Sequence, residues 1–343
     1  MKIVKPSFEI LKKDFINPQR YIETIARTCY KSEDKITDTS NRKFIATLQK
    51  AEHWAMLEHF IFIYEVTDGL VRILKELHPR FINLAEGSKF KYISFSARSL
   101  LDIEKNLKSK LTSDKNKELA TTLNVIQYLI NTTIKTYDCY ELFGKEREKD
   151  IENNFLDIVP LYPIKPVLPE EVEEDCKKYV DWFSVRFTVS RGISHELVRH
   201  RIASFAQESQ RYVAYTKEKN GGEISVIEPC FFNKESKAFK IWADSQLKAE
   251  KDYFCLINEE GAKAQEAREV LTNSTKTEII VTATHDEWEK IFGLRCDSPA
   301  HPTMRQVMIP LYKEMCIREP LIYTSLSESI NLDFDYPLAT QIK

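Results

Sequence analysis

The segment RGISHELVRHRIASFAQESQRYV, residues 191–213, is the stretch from which the architecture of this chain is best inferred. It follows FSVRFTV (183–189), whose β-branched and aromatic residues predict a strand. Residues 190–201 are predicted to run from the end of that strand into a helix. The other predicted elements are a strand at TEIIVTAT (277–284) and helices near 118–137, 235–258, 262–271 and 302–318. This mixture of strands and helices indicates an α+β fold.

The composition excludes several classes of protein. Among 343 residues, 50 Lys and Arg stand against 52 Asp and Glu, which argues against a protein that coats nucleic acid. No stretch approaches the roughly 20 apolar residues of a membrane span, and no secretory signal is evident. The seven cysteines are scattered without a C-x-x-C pair, so neither a zinc ribbon nor a disulfide framework is expected. We therefore expect a cytoplasmic protein with no metal site and no membrane contact.

The region from about 70 to 180 differs from its flanks. It carries a lysine-rich run that includes Lys115, which is typical of a solvated surface. Four prolines between Pro160 and Pro169 favour an extended connector. We expect a single catalytic domain over 1–343, whose α+β core is interrupted here by a mostly helical insertion.

Apolar spacing predicts two elements before this region. Residues from Ile45 to Leu57 have helical spacing, and those from His59 to Val66 alternate as in a strand that is buried on both faces. A histidine at the start of such a strand is usually a structural residue.

The segment 191–213 concentrates groups that suit a ligand. Consecutive helical residues point about 100° apart, so the triplet Arg199-His200-Arg201 must either end the helix or spread its cations around a ligand. These cations repel each other unless an anion compensates them, and phosphate or pyrophosphate matches the arginine fork. Residues 207–211 then supply donors and acceptors suited to a sugar or the edge of a base.

Three other interpretations compete at this point. His195-Glu196 begins like the zinc-protease motif H-E-x-x-H, but Arg199 stands at the second histidine position and His200 falls one place late. A basic helix that binds RNA is weakened by the interleaved Glu196 and Glu208. The third interpretation is an exposed, salt-bridged helix end.

A second candidate position lies near residue 295. Thr284-His285-Asp286-Glu287 has the pattern of a capping box, and the helix that it opens carries Trp288, Ile291 and Phe292 on one stripe. Arg295 continues that stripe. A charge on a buried face needs a partner, and a substrate can be that partner. The alternative is a cation that stabilises the end of the helix.

The pattern Arg199-His200-Arg201, seven residues, Ser209, one residue, Arg211 resembles the signature RHR-x7-S-x-R of flavin-dependent thymidylate synthases. The flanks 191–198 and Tyr212, the residues 57–59 and the residues 293–295 resemble that family too. The resemblance covers about 1–66 and 180–320. It implies an FAD flavoprotein with the α+β core of that family, a methyltransferase that makes thymidylate from deoxyuridylate. Methylenetetrahydrofolate would donate the carbon unit and NADPH would be the reductant. It also implies a homotetramer whose active sites are shared between chains.

The resemblance implies roles for individual residues. Against FAD it places His59, Arg199, His200, Arg201 and Gln207. For binding deoxyuridylate it implies Glu196, Arg199, Gln207, Glu208, Ser209, Gln210, Arg211, Arg268 and Arg295. Arg295 would be the catalytic residue that polarises the uracil, without an adduct to a cysteine such as Cys296. From the sequence alone, Arg268 reads as an arginine on a helix surface.

The chain departs from the family at one place. Many members carry Asn-x-Arg where Thr284, His285 and Asp286 stand here, and Arg98, in the insertion, can supply an arginine instead. The alternatives are a basic-helix RNA-binding module and a repurposed member of the same family.

Overall fold

The computed structural model describes residues 1–77, 82–113, 116–144, 147, 161–211, 215 and 222–342. Lys115, Pro160 and Tyr212, which the sequence patterns above include, lie outside the described residues. The fold is α+β, as predicted. The amino-terminal elements are β1 (Lys2–Val4), β2 (Ser7–Ile10), α1 (Pro18–Thr28), α2 (Ser40–Lys50) and the 3₁₀ turn Trp54–Glu58. None of the described helices is both long and apolar enough to cross a membrane.

The middle of the chain builds a small sheet with helices packed against it. Its elements are β3 (Ile61–Val66), α3 (Asp68–Leu77), β4 (Ile82–Glu86), β5 (Lys91–Ser96), α4 (Ala97–Ser113), α5 (Lys117–Tyr137), α6 (Tyr140–Phe143), β6 (Ile164–Pro166) and α7 (Glu174–Val180). The four strands lie in the order β4-β5-β3-β6, and each pairs antiparallel with its neighbour. Helices occupy more of the described part of 70–180 than strands do.

The last part of the chain supplies most of the larger sheet. Its elements are β7 (Trp182–Ser190), α8 (Arg191–Leu197), β8 (Ser204–Gln207), β9 (Ser225–Ile227), α9 (Lys237–Asn258), α10 (Ala264–Ala267), β10 (Lys276–Thr284), α11 (His285–Arg295), α12 (Pro302–Arg318), α13 (Pro320–Tyr323) and β11 (Thr340–Gln341). The five strands lie in the order β11-β2-β7-β10-β8. β10 pairs antiparallel with β7 over its whole length and with β8 between Ser204↔Thr282 and Gln207↔Ile279. This register places Ser204 beside the end of β10 and Gln207 beside its middle.

Two hydrophobic clusters hold these layers together. One joins β3 and β5 to α1, α4 and α5, and the other joins β7 and β10 to α11 and α12. Trp182, at the start of β7, belongs to the first cluster and donates from Nε1 to the carbonyl of Ile61 over 2.8 Å. Phe62, Ile63 and Tyr64 are all buried, which confirms that β3 has apolar contacts on both faces. The small sheet and the large sheet are therefore packed through shared side chains.

Three local predictions were wrong. The helix predicted from Ile45 to Leu57 ends at Lys50, because the chain enters a left-handed conformation at Glu52 (φ 56°) and continues as the 3₁₀ turn 54–58. The helix predicted for 262–271 is reduced to α10 and the 3₁₀ turn Arg268–Val270, because the chain turns at 271–275 to enter β10.

The capping box at Thr284 is also absent. Thr284 occupies the cap position of α11, but its side chain makes no capping bond. The backbone N–H of His285 donates instead to the carbonyl of Asp181, 3.3 Å away. The first free backbone N–H of α11 is thus satisfied by Asp181, the residue before β7, and not by a capping side chain. The apolar stripe of Trp288, Ile291 and Phe292 is buried as predicted.

Candidate active site

The Arg199-His200-Arg201 triplet lies in the loop between α8 and β8. Ser190 accepts a bond from the backbone N–H of Ile193 at the start of α8, and the helix ends at Leu197. The triplet therefore follows the end of the helix, which is one of the two arrangements that its charges require. Arg199 and Arg201 are exposed, whereas His200 is only 7% exposed. Among the described residues, none forms a hydrogen bond or an ion pair with the Arg199 side chain.

Arg295, at the end of α11, reaches the same loop. Its Nε donates to Nε2 of His200 over 3.0 Å, its Nη2 donates to the carbonyl of Glu196 over 2.8 Å, and its Nη1 lies 3.2 Å from Oε2 of Glu196. An arginine carries five N–H donors, so three contacts leave two donors for another group. The arginine is therefore fixed by protein contacts and still able to bind a ligand.

His200 is neutral in this arrangement. Its Nε2 accepts a bond from an arginine, so the proton of the ring resides on Nδ1. Burial and then the charge of Arg295 lower the pKa of His200 to about 4. The triplet consequently carries two positive charges near neutral pH rather than three, and Nδ1 remains a donor.

His59 lies beside β10, opposite the start of β8. It immediately follows the 3₁₀ turn 54–58 and precedes β3, so it stands outside the strand in which the alternation placed it. Its ring is fully buried, and Nδ1 lies 2.7 Å from Oγ1 of Thr282, the residue that pairs with Ser204. Its Nε2 is buried without a hydrogen-bond partner among the described residues. Burial lowers the pKa of His59 to about 4, so this imidazole is also neutral.

The loop 207–211 lies at the other end of β8. Gln207 donates from Nε2 to Oγ of Ser194 over 2.7 Å, and the backbone N–H of Ser209 donates to the carbonyl of Cys29 over 3.0 Å. Glu208 is only 3% exposed. Ser209 and Gln210 are half-buried and Arg211 is exposed, and the Nε2 atom of Gln210 is buried without a partner among the described residues. The side chains of Gln207 and Glu208 thus hold the loop, while Ser209 and Arg211 lie nearer to solvent.

Two lysines compensate the charge of Glu208. Nζ of Lys276 lies 3.1 Å from Oε2 of Glu208 and 2.6 Å from Oε1 of Glu278. Nζ of Lys31 lies 2.5 Å from Oε1 of Glu278 and 3.8 Å from Oε2 of Glu208. Burial opposes ionisation of Glu278, but Lys276 and Lys31 outweigh it and hold the pKa of Glu278 at about 2. Sequence reasoning missed Lys31, Lys276 and Glu278, because they come from distant segments and form no motif.

Arg191 and Arg268 lie on this side of the site. Arg191 reaches toward the carbonyl of Glu208, with Nη1 at 3.5 Å. Burial lowers the pKa of Arg191, and the charge of Arg268 acts in the same direction. Arg268 opens the 3₁₀ turn 268–270, with its side chain 35% exposed. Two neighbouring cations at this end of β8 make a candidate site for an anionic group.

The predicted residues therefore form two groups on one chain. His59, Glu196, His200 and Arg295 gather near the Ser204 end of β8, and residues 208–211 with Arg268 gather near the Gln207 end. At about 3.3 Å per residue, β8 separates its own ends by roughly 10 Å. No pattern in the sequence indicated this separation.

The zinc-protease alternative finds no support in the geometry. Within the described ranges, no group of three or more His, Cys, Asp or Glu side chains is arranged to hold a metal ion. His195 is exposed, and the Nε2 of His200 faces the guanidinium of Arg295.

Comparison with known proteins bears on the same segment. Residues 182–320 match the family Thy1, described as thymidylate synthase complementing protein. The flavin-dependent thymidylate synthase of Geobacter sulfurreducens is 35% identical over 125 residues, which are 36% of this chain and 52% of the relative. That of Pyrococcus furiosus is 36% identical over 132 residues, 38% of this chain and 53% of the relative. The chain spans about half the length of these relatives.

A crystal structure of Thymidylate Synthase X from Helicobacter pylori with FAD and dUMP was also matched. It is 21% identical, with 42% of this chain and 72% of that chain covered and a TM-score of 0.35.

The fold and the site define an α+β protein with two clusters of cationic side chains at the ends of one strand. Residues 182–320 are similar to the Thy1 family and to the flavin-dependent thymidylate synthases of the two organisms named above. The matched segment contains the triplet, the loop 207–211, Arg268 and Arg295, whereas His59 lies outside it.

Proposed function

We propose that this protein is an FAD-dependent thymidylate synthase, a methyltransferase that converts deoxyuridylate to thymidylate. Methylenetetrahydrofolate serves as the one-carbon donor and NADPH as the reductant. The observation that carries the proposal is the contact of Arg295 with His200 and Glu196. Glu196 and His200 lie near the start of the matched segment 182–320 and Arg295 lies near its end, and the fold brings the three side chains into contact.

The residues near the triplet fit an anionic cofactor. Arg199 and Arg201 are exposed, and the two arginines of the triplet carry charge that a pyrophosphate would balance. His200 adds a neutral donor at Nδ1. Bound FAD supplies hydride chemistry that protein side chains lack. Arg199, His200 and Arg201 would hold it, with Gln207 at the far end of β8. His59 would act from behind through Thr282, because its ring is fully buried.

The other group fits deoxyuridylate. Ser209, Gln210 and Arg211, together with Arg268, present hydroxyl, amide and guanidinium donors for a phosphate and a sugar. In this proposal Glu208 acts through the loop, because its side chain is buried and Lys276 and the backbone N–H of Glu278 both donate to its Oε2. Arg295, with Glu196 beside it, would meet the uracil with its two remaining donors. A guanidinium there favours the negative charge that grows on the base as C5 becomes nucleophilic.

A site shared between chains is part of the proposal because the resemblance to the family implies it. In such a site the residues that hold deoxyuridylate on one chain lie beside the flavin held by another. We propose a homotetramer in which each site combines the triplet of one chain with the loop 207–211 of another. Such an assembly brings both groups around one ligand pair without any change in the fold of a chain.

The test of this proposal is direct binding. The purified chain should carry a visible flavin spectrum or acquire one on titration with FAD, and deoxyuridylate should perturb that spectrum. A chain that instead co-purifies with nucleic acid removable by high salt, and that binds no flavin, would support the RNA-binding alternative. Comparison of NADPH with NADH in flavin reduction identifies the reductant.

A further inference from the structure

An ion pair links the middle region of the chain, through Glu58, to the strand that follows the triplet loop. Arg98, the second residue of α4, donates from Nη1 to Oε1 of Glu58 over 2.7 Å. The other oxygen of Glu58 accepts a bond from Oγ of Ser204 over 3.0 Å. Ser204 is the first residue of β8 and follows Arg201 by three positions. Glu58 therefore links α4 to the strand on which the triplet loop ends.

This link is largely enclosed. The Glu58 side chain is 15% exposed, and Ser204 is buried. Burial raises the pKa of Glu58, whereas Arg98 and Ser204 favour its charged form. A carboxylate in this position depends on its two partners, because an unpaired buried charge carries a large desolvation cost. Loss of either partner should therefore loosen the contact as a whole.

The position of Arg98 is itself fixed by the strand before it. Ser96, the last residue of β5, accepts a bond from the backbone N–H of Ser99 in the first turn of α4. A cavity of about 30 Å³ lies between these elements and the large sheet, lined in part by Asn83, Ser96, Ser204 and Thr284. That volume holds a water molecule or two. The contacts from Arg98 through Glu58 to Ser204, which we call the brace, thus connect two parts of the chain.

We infer that Arg98 is a positioning residue, which acts through Glu58 and Ser204 to hold the loop 199–203 in the conformation that receives the flavin. The part of this inference that concerns the flavin rests on the proposed function. The brace itself rests only on the contacts of the described residues. It gives the middle region a role in the site without placing any of its residues against a ligand.

The first experiment measures amide hydrogen exchange in the full-length protein without ligands. Arg98→Gln and Ser204→Ala each remove one partner of Glu58, and both should speed exchange over 199–203 by about threefold or more. Arg98→Lys retains the charge and should restore protection in part. The matched control is Lys75→Gln, which breaks the ion pair between Lys75 and Glu86, the last residue of β4. Unchanged exchange in both test variants, or an equal increase in the control, would overturn the brace.

The second experiment measures FAD affinity of the same variants by fluorescence titration. Arg98→Gln should weaken binding by about three- to tenfold, and the Lys75→Gln control should match the wild type. Equal FAD affinity in Arg98→Gln and the wild type would overturn the role toward the flavin. A wild-type chain that binds no FAD would contradict the proposed function, while the exchange rates would still decide whether the brace exists.

Discussion

Arg295 donates from Nε to Nε2 of His200 across 3.0 Å, although the two residues are 95 positions apart in the chain. The contact fixes the tautomer of the histidine and the orientation of the guanidinium together. It also explains why the end of α11, where a cation is otherwise only a favourable surface charge, is tied to the triplet loop.

Arg295→Lys should lower kcat for thymidylate formation by about 10²–10³. A lysine keeps the charge but cannot reproduce the planar set of bonds to His200 and Glu196 while meeting two uracil atoms. FAD binding and flavin reduction by NADPH should stay near the wild-type values. Methyl transfer and flavin reduction are measured separately, with Arg318→Lys as the matched control, because Arg318 pairs with Glu314 at the surface. A wild-type rate of methyl transfer would mean that Arg295 is merely a helix-end cation.

The double variant Arg199→Ala, Arg201→Ala should fold but lose most bound FAD. It removes two exposed cations from the loop, and exposed arginines away from the core contribute little to stability. Flavin content per chain is measured after gel filtration, beside thermal unfolding. Lys240→Ala, Lys248→Ala on α9 removes the same charge elsewhere and serves as the control. Normal flavin occupancy in a folded triplet variant would rule out the proposed role of the arginines.

Cys296→Ala should keep most of the activity. The thiol is fully buried, and burial raises its pKa far above the usual range, so it is protonated and inert at neutral pH. Turnover and deoxyuridylate affinity of this variant are compared with those of the wild type. Loss of turnover with deoxyuridylate binding intact would show that the mechanism uses a cysteine nucleophile.

Folding stability should fall as the pH drops from about 6.5 toward 4, with His59 contributing. Its pKa is about 4 in the folded chain and near 6.5 when unfolded, so the unfolded state binds the proton first. This single group should remove about 2 kcal/mol between pH 7 and pH 5. Denaturant unfolding of the wild type and of His59→Gln at both pH values tests this. An equally steep loss in the variant would show that the ring of His59 is already protonated or accessible in the folded state.

Local patterns predicted the elements that contain the site. The runs of β-branched residues at 183–189 and 277–284 form β7 and β10, because a strand buried on both faces needs such side chains whatever its partners. The sequence left open whether the helix ends before the triplet, and α8 ends at Leu197. The buried stripe of α11 followed from its spacing, and so did the need of Arg295 for a partner.

Long-range contacts could not be predicted in this way. The Lys31–Glu278 and Arg98–Glu58 pairs join distant segments, and no spacing in the sequence marks either of them. The internal position of Glu208 likewise depends on the pairing of β8 with β10, which a one-dimensional pattern does not contain. The same pairing sets the distance between the two groups of the site.

The formation of thymidylate is the most direct test. The purified chain is incubated with deoxyuridylate, methylenetetrahydrofolate, FAD and NADPH, and parallel mixtures each lack one of these components. We expect thymidylate in the complete mixture, and none when deoxyuridylate, the folate or the reductant is left out or when flavin has been stripped from the protein and not restored. No thymidylate from a folded chain that has bound FAD and deoxyuridylate, or equal product from a flavin-free chain, would contradict the proposed function.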